Sequence, residues 1–232
     1  MRRTVRVLGT TLVVCGVGAL AWALVVWRWQ DPFTALYTKY QQHRLAGQYD
    51  RLVAGYHAPR LQSDSLAVVR RVIAGEARRY RLATHQGEAI GRIIVPRLHL
   101  SMVFVDGTDE GSLEKGPGRD LRTYMPGEGR LVYIAGHRTT FLAPFSHIER
   151  LRRGDSVTLR MPYATFLYRI RGHRIVAADD LSVLRSPNHE ELELQACHPR
   201  FFATHRYVAY AVPVKVLPQG GPAYAVKAIA TR

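Results

Sequence analysis

Hydrophobic positions change their spacing twice along this chain, which divides it into three stretches. The first runs from Val7 to Trp27 without a charge. As a helix rising about 1.5 Å per residue it would measure about 30 Å, the thickness of a bilayer's hydrocarbon core. The second stretch repeats apolar residues at three- and four-residue steps. Phe33, Leu36, Tyr37 and Tyr40, then Leu45, Tyr49, Leu52, Val53 and Tyr56, predict one helix from about Asp31. His57-Ala58-Pro59 breaks it, and a second helix follows from about Ser63 as N-cap, with Leu66, Val69, Val72, Ile73, Ala77 and Tyr80 on one face. From about Gly87 the period becomes two. Strands are predicted at 89–95, 101–105, 131–135, 156–160, 165–170, 174–177, 192–197 and 206–216. Turn chemistry separates them, as at Gly116-Pro117-Gly118 and Arg153-Gly154-Asp155, and one short helix is expected near 144–152. About eight strands in one stretch imply a mainly β domain, closed as a barrel or packed as a sandwich. The chain thus divides into 1–30, an apolar anchor with its tip; 31–84, a helical stalk or a helical layer packed on the main domain; and 85–232, the β domain.

Charge adds an orientation. Arg2, Arg3 and Arg6 precede the apolar run and favour a cytoplasmic N-terminus, while Trp22, Trp27 and Trp29 suit the far interface. The β domain is then expected outside. The run is long for a cleaved signal peptide, and no convincing small-x-small site precedes Arg28, so an uncleaved single-pass anchor is the reading. Lys and Arg number 33 against 18 Asp and Glu, a formal net charge of +15. Such a surface suits nucleic acid, an anionic membrane or an anionic wall polymer, and an exported domain disfavours the first.

Two cysteines are present, Cys15 within the apolar run and Cys197 in the β domain, so no internal disulfide is expected. Cys197 ends one predicted strand; after an eight-residue loop, His198 to His205, a new strand begins at Arg206. If the two pair as a hairpin, thiol and guanidinium meet at its mouth, where a cation favours thiolate and can steady an oxyanion. A nucleophilic thiol also needs an acid or base. His198 and His205 adjoin Cys197 and Arg206, so in extended chain each faces the other way. His137, just past the strand 131–135, is better placed, although spacing alone leaves a surface imidazole as the commoner outcome. Neither H-E-x-x-H nor C-x-x-C occurs, nor do G-x-S-x-G, G-x-G-x-x-G or a P-loop, so neither metal nor cofactor is expected.

Three segments together resemble the sortase family. Ile134-Ala135-Gly136-His137-Arg138-Thr139-Thr140, continued by Ala143-Pro144-Phe145 and 148–155, is similar to its histidine segment. Leu194-Gln195-Ala196-Cys197-His198-Pro199-Arg200-Phe201, with Arg206 nine residues after the cysteine, is similar to its cysteine–arginine segment. Upstream, 89–96 and 113–118 also fit, so the likeness runs from about Gly87 to Val214 and is strongest to class E sortases of high-GC Gram-positive bacteria. The resemblance implies an eight-stranded barrel. It implies a transpeptidase with Cys197 as nucleophile, His137 as acid/base and Arg206 at the oxyanion. Its substrates would be secreted proteins bearing a C-terminal LPxTG- or LAxTG-like sorting signal, and its amine acceptor a peptidoglycan precursor. Ala196, Tyr124, Thr139 and Thr140 are the residues the resemblance places nearest the substrate. Two positions depart from the family's Thr-Leu-x-Thr before the cysteine: Glu193 and Ala196 stand where threonines are usual. Asp31-Pro32-Phe33 is like the lid tripeptide of pilin-polymerising sortases, but directly after the anchor it reads more simply as a helix start. A tethered binding module without activity is the non-enzyme alternative, resting on Glu193 and Ala196 alone.

Overall fold

The computed structural model describes residues 2–28, 32–59 and 65–226. Helix α1 (Arg2–Arg28) is long and apolar enough to cross a membrane by length and composition, and its described side chains are exposed. Trp29, the Asp31 cap and the Ser63 cap fall outside the described residues. Helices α2 (Pro32–Ala54) and α3 (Leu66–Ala83) follow, α3 starting directly after Ser65.

The β domain comprises β1 (Ala89–Val95), β2 (Leu100–Asp106), β3 (Gly118–Arg119), β4 (Leu131–Ala135), β5 (Ser156–Arg160), β6 (Ala164–Ala177), β7 (Glu191–His198), β8 (His205–Pro218) and β9 (Tyr224–Ala225). Strands pair in the order β6-β5-β1-β2-β3-β4-β7-β8, and β8 pairs back onto β6. Eight strands therefore close a barrel, and β9 adds to the outer edge of β8. Closure gives each of the eight a neighbouring strand on both sides. All pairings are antiparallel except β2–β3 and β4–β7.

The count of eight agrees with the sequence, but the membership differs. Segments 165–170 and 174–177 are one strand, β6, which continues through a register shift at Gly172. A β-carbon there would lie 2.5 Å from the Tyr210 hydroxyl, so glycine marks a bulge and not a turn. The eighth barrel strand is β3, two residues long and too short to show a period. In 144–152 only the 3₁₀ turn Ile148–Arg150 forms, although Phe145, Ile148 and Leu151 are buried as a helix face would have been. Left-handed backbone at Phe141, Leu142 and Ala143 turns the chain in there, and Pro144 follows. A single helical turn, α4 (Glu110–Leu113), forms where none was expected, capped by Asp109 accepting from the Ser112 N–H.

Alternation sorts β7 cleanly. Leu192, Leu194 and Ala196 point into the barrel core, while Glu193, Gln195 and Cys197 face outward. That outward surface joins Leu131 and Tyr133 of β4 and Val208 of β8, and the segment leading into β7 covers it through Val183 and Leu184. The helices dock on other sides. Val69, Ile73 and Ala77 of α3 enter the main core. Leu45 and Tyr49 of α2 pack on Ala89, Val103 and Val105.

Candidate active site

The register of β7 and β8 places Cys197 opposite Arg206, as the hairpin reading required. The loop between these strands contains a cis His198–Pro199 bond. Arg206 Nη1 donates to the Ala203 carbonyl at 2.8 Å and to the His205 carbonyl at 3.0 Å, so this loop aims the guanidinium.

His137 reaches the same place from β4. This strand runs parallel to β7, with Ala135 paired to Gln195, and the Gly136 N–H donates to the Gln195 carbonyl at 3.0 Å. Continuing that register by two residues sets His137 beside Cys197, on strands spaced about 4.8 Å apart. Gly136 is needed for this, because a β-carbon would lie 2.7 Å from the Phe145 ring beneath it. The Phe145 N–H in turn donates to the His137 carbonyl at 3.1 Å. Phe141 packs on the imidazole with ring centres 5.0 Å apart. Burial lowers the imidazole's pKa, against a smaller upward pull from Glu110. Its Nε2 is buried and finds no hydrogen-bond partner among the described residues. A neutral imidazole lining a cleft is suited to exchanging a proton with something that enters it.

Cys197, His137 and Arg206 line one cavity of about 320 Å³, together with Tyr133, Gln195, Asp120, Arg122, Asp180, Leu181 and Val183. Arg122 grips Asp120 with two nitrogens, at 2.9 and 2.7 Å. Burial opposes ionisation of Asp120, but those bonds outweigh it and hold the carboxyl below its usual range. A larger hollow of about 430 Å³, lined by Arg70, Phe166, Glu190 and Tyr224, borders the start of β7, so the length of that strand separates it from the thiol.

The four residues expected near substrate are not brought together. Ala196 is fully buried inside the barrel. Tyr124 lies between Arg81 and Arg130, with their guanidinium carbons 5.2 and 5.8 Å from its ring, and does not line the cavity. Thr139 and Thr140 are half-buried in the loop after His137 and also stand off the cavity wall. Sequence reasoning missed Arg138, whose guanidinium contacts the backbone of Cys197, and the cover supplied by 178–190. Neither had a local signal, since each depends on partners tens of residues away. Among the described residues, no group of three or more His, Cys, Asp or Glu is placed to hold a metal ion.

A closed barrel with a thiol, an imidazole and a guanidinium in one outward cleft is equipped for nucleophilic acyl transfer. Comparison with known proteins gives the lineage. The sortase-domain family model matches residues 93–214, more than half of the chain, and the chain belongs to the sortase family. Sortases are generally cysteine transpeptidases. Sortase D of Bacillus subtilis is 34% identical over 128 residues, a match covering 53% of this chain and 63%, under two thirds, of that relative's length. Among solved structures, the Sortase D5 transpeptidase of Clostridium perfringens superposes with a TM-score of 0.61 at 20% identity, over 75% of this chain and 99% of the other. Sortase E of Streptomyces avermitilis gives 0.52 at 26% identity, over 58% and 93%.

Proposed function

We propose that this protein is a membrane-anchored sortase that cleaves an LPxTG- or LAxTG-like signal and transfers the cut protein to a cell-wall amine. In this reading α1 holds the chain in the membrane with its N-terminus in the cytoplasm, and residues 85–232 work outside. Cys197 gives its thiol proton to His137 as Sγ attacks the carbonyl carbon of the Thr–Gly bond. Arg206 faces the oxyanion, and His137 passes a proton to the departing glycine nitrogen. The resulting thioester is opened by the acceptor amine, here assigned to a peptidoglycan precursor. His137 takes the amine's proton, and the thiol is regenerated.

The observation that carries this reading is the shared cavity of Cys197, His137 and Arg206, reached from three different strands or strand ends. The test uses the full chain in phospholipid vesicles with LPxTG and LAxTG peptides. The parent should accumulate an acyl adduct on Cys197 when amine is withheld, visible as added mass, and release it when amine is supplied. Cys197→Ala should lose both cleavage and transfer while keeping its circular dichroism spectrum. Parent-like turnover by this variant would overturn the reading.

A further inference from the structure

In extended chain, neighbouring side chains face opposite ways. His137 and Arg138 are neighbours, and so are Cys197 and His198. With His137 and Cys197 on the cavity side, Arg138 and His198 are turned to the far side together. There they meet. Arg138 Nη1 lies 2.9 Å from His198 Nδ1, and the same nitrogen donates to the Cys197 carbonyl at 3.0 Å. Arg138 Nη2 donates to Glu149 Oε2 at 2.8 Å. Arg138 is 6% exposed, whereas Glu149 is 41% exposed. One rigid guanidinium thus joins the loop carrying the imidazole, the strand carrying the thiol, and the turn Ile148–Arg150.

A guanidinium only donates. Its contact with His198 therefore requires an unprotonated Nδ1 there. Burial, with Arg138 and His205 adding to it, lowers the pKa of His198 and favours that neutral form. The guanidinium braces the Arg138 loop against Cys197 at the point where β4 has ended at Ala135.

We propose that Arg138 is a positioning residue for transpeptidation: it acts through the Cys197 carbonyl and His198 to fix the spacing between the Cys197 thiol and the His137 imidazole. Arg138 does not line the cavity, so its effect belongs in the chemical step and not in peptide capture. A displacement of about 1 Å between reacting groups can cost about 10²-fold in rate. Lysine keeps the charge, but its single nitrogen cannot reproduce the planar fork.

This inference rests on the proposed transpeptidase reading, and the experiment separates the two. Arg138→Lys, Arg138→Met and Glu149→Gln are prepared as full chains in vesicles beside Cys197→Ala. Reactive sites are counted from the acyl adduct formed without amine, so that kcat refers to competent molecules only. Both Arg138 variants should lose about 10- to 100-fold in kcat per competent site, with KM within about threefold of the parent. Glu149→Gln keeps an acceptor for Nη2 but removes the charge that holds the outer end of the brace, and should lose about three- to tenfold by the same argument. An unchanged kcat per site in Arg138→Met, or a loss confined to KM, overturns the positioning role. If both Arg138 variants fail to fold, Glu149→Gln decides, and an unchanged kcat there overturns it as well. If Cys197→Ala keeps parent turnover, the transpeptidase reading itself has failed.

Discussion

Glu193 is the residue whose chemistry departs most from its surroundings. It sits on the outward face of β7, is 3% exposed, and meets one cation, Arg174, at 2.5 Å. Its second carboxylate oxygen is buried without a hydrogen-bond partner among the described residues. Burial pushes its pKa up, Arg174 opposes this, and the nearby Glu191 adds to it, leaving the carboxyl at about 7. A carboxyl raised above its unfolded value favours folding while protonated. That contribution is fully present below the unfolded value near 4.5 and is lost as pH climbs through about 7. The parent should therefore melt at a lower temperature at pH 8 than at pH 5.5. Glu193→Gln should shrink this difference, read by thermal denaturation at both pH values; an unaltered difference would show that Glu193 does not titrate there. This ion pair also accounts for one departure from the family pattern. The other, Ala196, faces the closed core and Tyr207, its register partner on β8. At this scale the thiol and Arg206 were legible because a hairpin is a local object. The proximity of His137 was only suggested by its place after a strand, and the resemblance carried the rest. Arg138 read as one polar residue of a loop, since its partner His198 is 60 positions away.

Among the elements, α2 does something its own periodicity conceals. Gln42 lies on its barrel side, and its amide takes both backbone groups of Val103: Oε1 accepts from the N–H and Nε2 donates to the carbonyl, each at 2.8 Å. Nε2 also reaches the Lys115 carbonyl at 2.8 Å. β2 needs this because β3 pairs only with Val105 and Asp106, leaving Val103 unpaired on that side. One side chain thus stands in for a missing length of strand. Gln42→Leu keeps the size but strands buried backbone groups, each costing about 1–3 kcal/mol. The expected loss is about 2–6 kcal/mol in urea unfolding with an unchanged m-value, and a loss under about 1 kcal/mol would mean that water replaces the amide. Strands bounded by turn chemistry were legible to the residue: β1, β4 and β5 have the expected bounds. What escaped was set by tertiary context, such as the bulge at Gly172 and the two-residue β3.

For the whole molecule, the barrel class followed from strand number, while closure and strand order needed pairings between distant segments. The helices are fastened to it by side chains of several kinds. Thr38 donates to the Glu114 carbonyl at 2.8 Å, Tyr49 to the Arg160 carbonyl at 3.1 Å, and Arg81 pairs with Glu128 at 2.8 Å. One such fastening lies beside the cleft: the Phe141 N–H, in the loop that carries His137, donates to Thr34 Oγ1 at 3.2 Å. Thr34 is only six positions after Arg28, the last residue of α1. Six residues of backbone reach at most about 20 Å. Under the proposed anchoring, the histidine loop then stands at a fixed low height above the bilayer and meets its substrates as a surface reaction, governed by molecules per unit area. A slack leash should weaken that advantage and nothing else. Twenty Gly/Ser residues inserted between Trp29 and Gln30 add about 25 Å of root-mean-square reach. In vesicles, transfer to a lipid-linked amine should fall several-fold, while cleavage of a dissolved peptide holds steady. Equal rates for both forms on both substrates would mean that the short leash sets no working height.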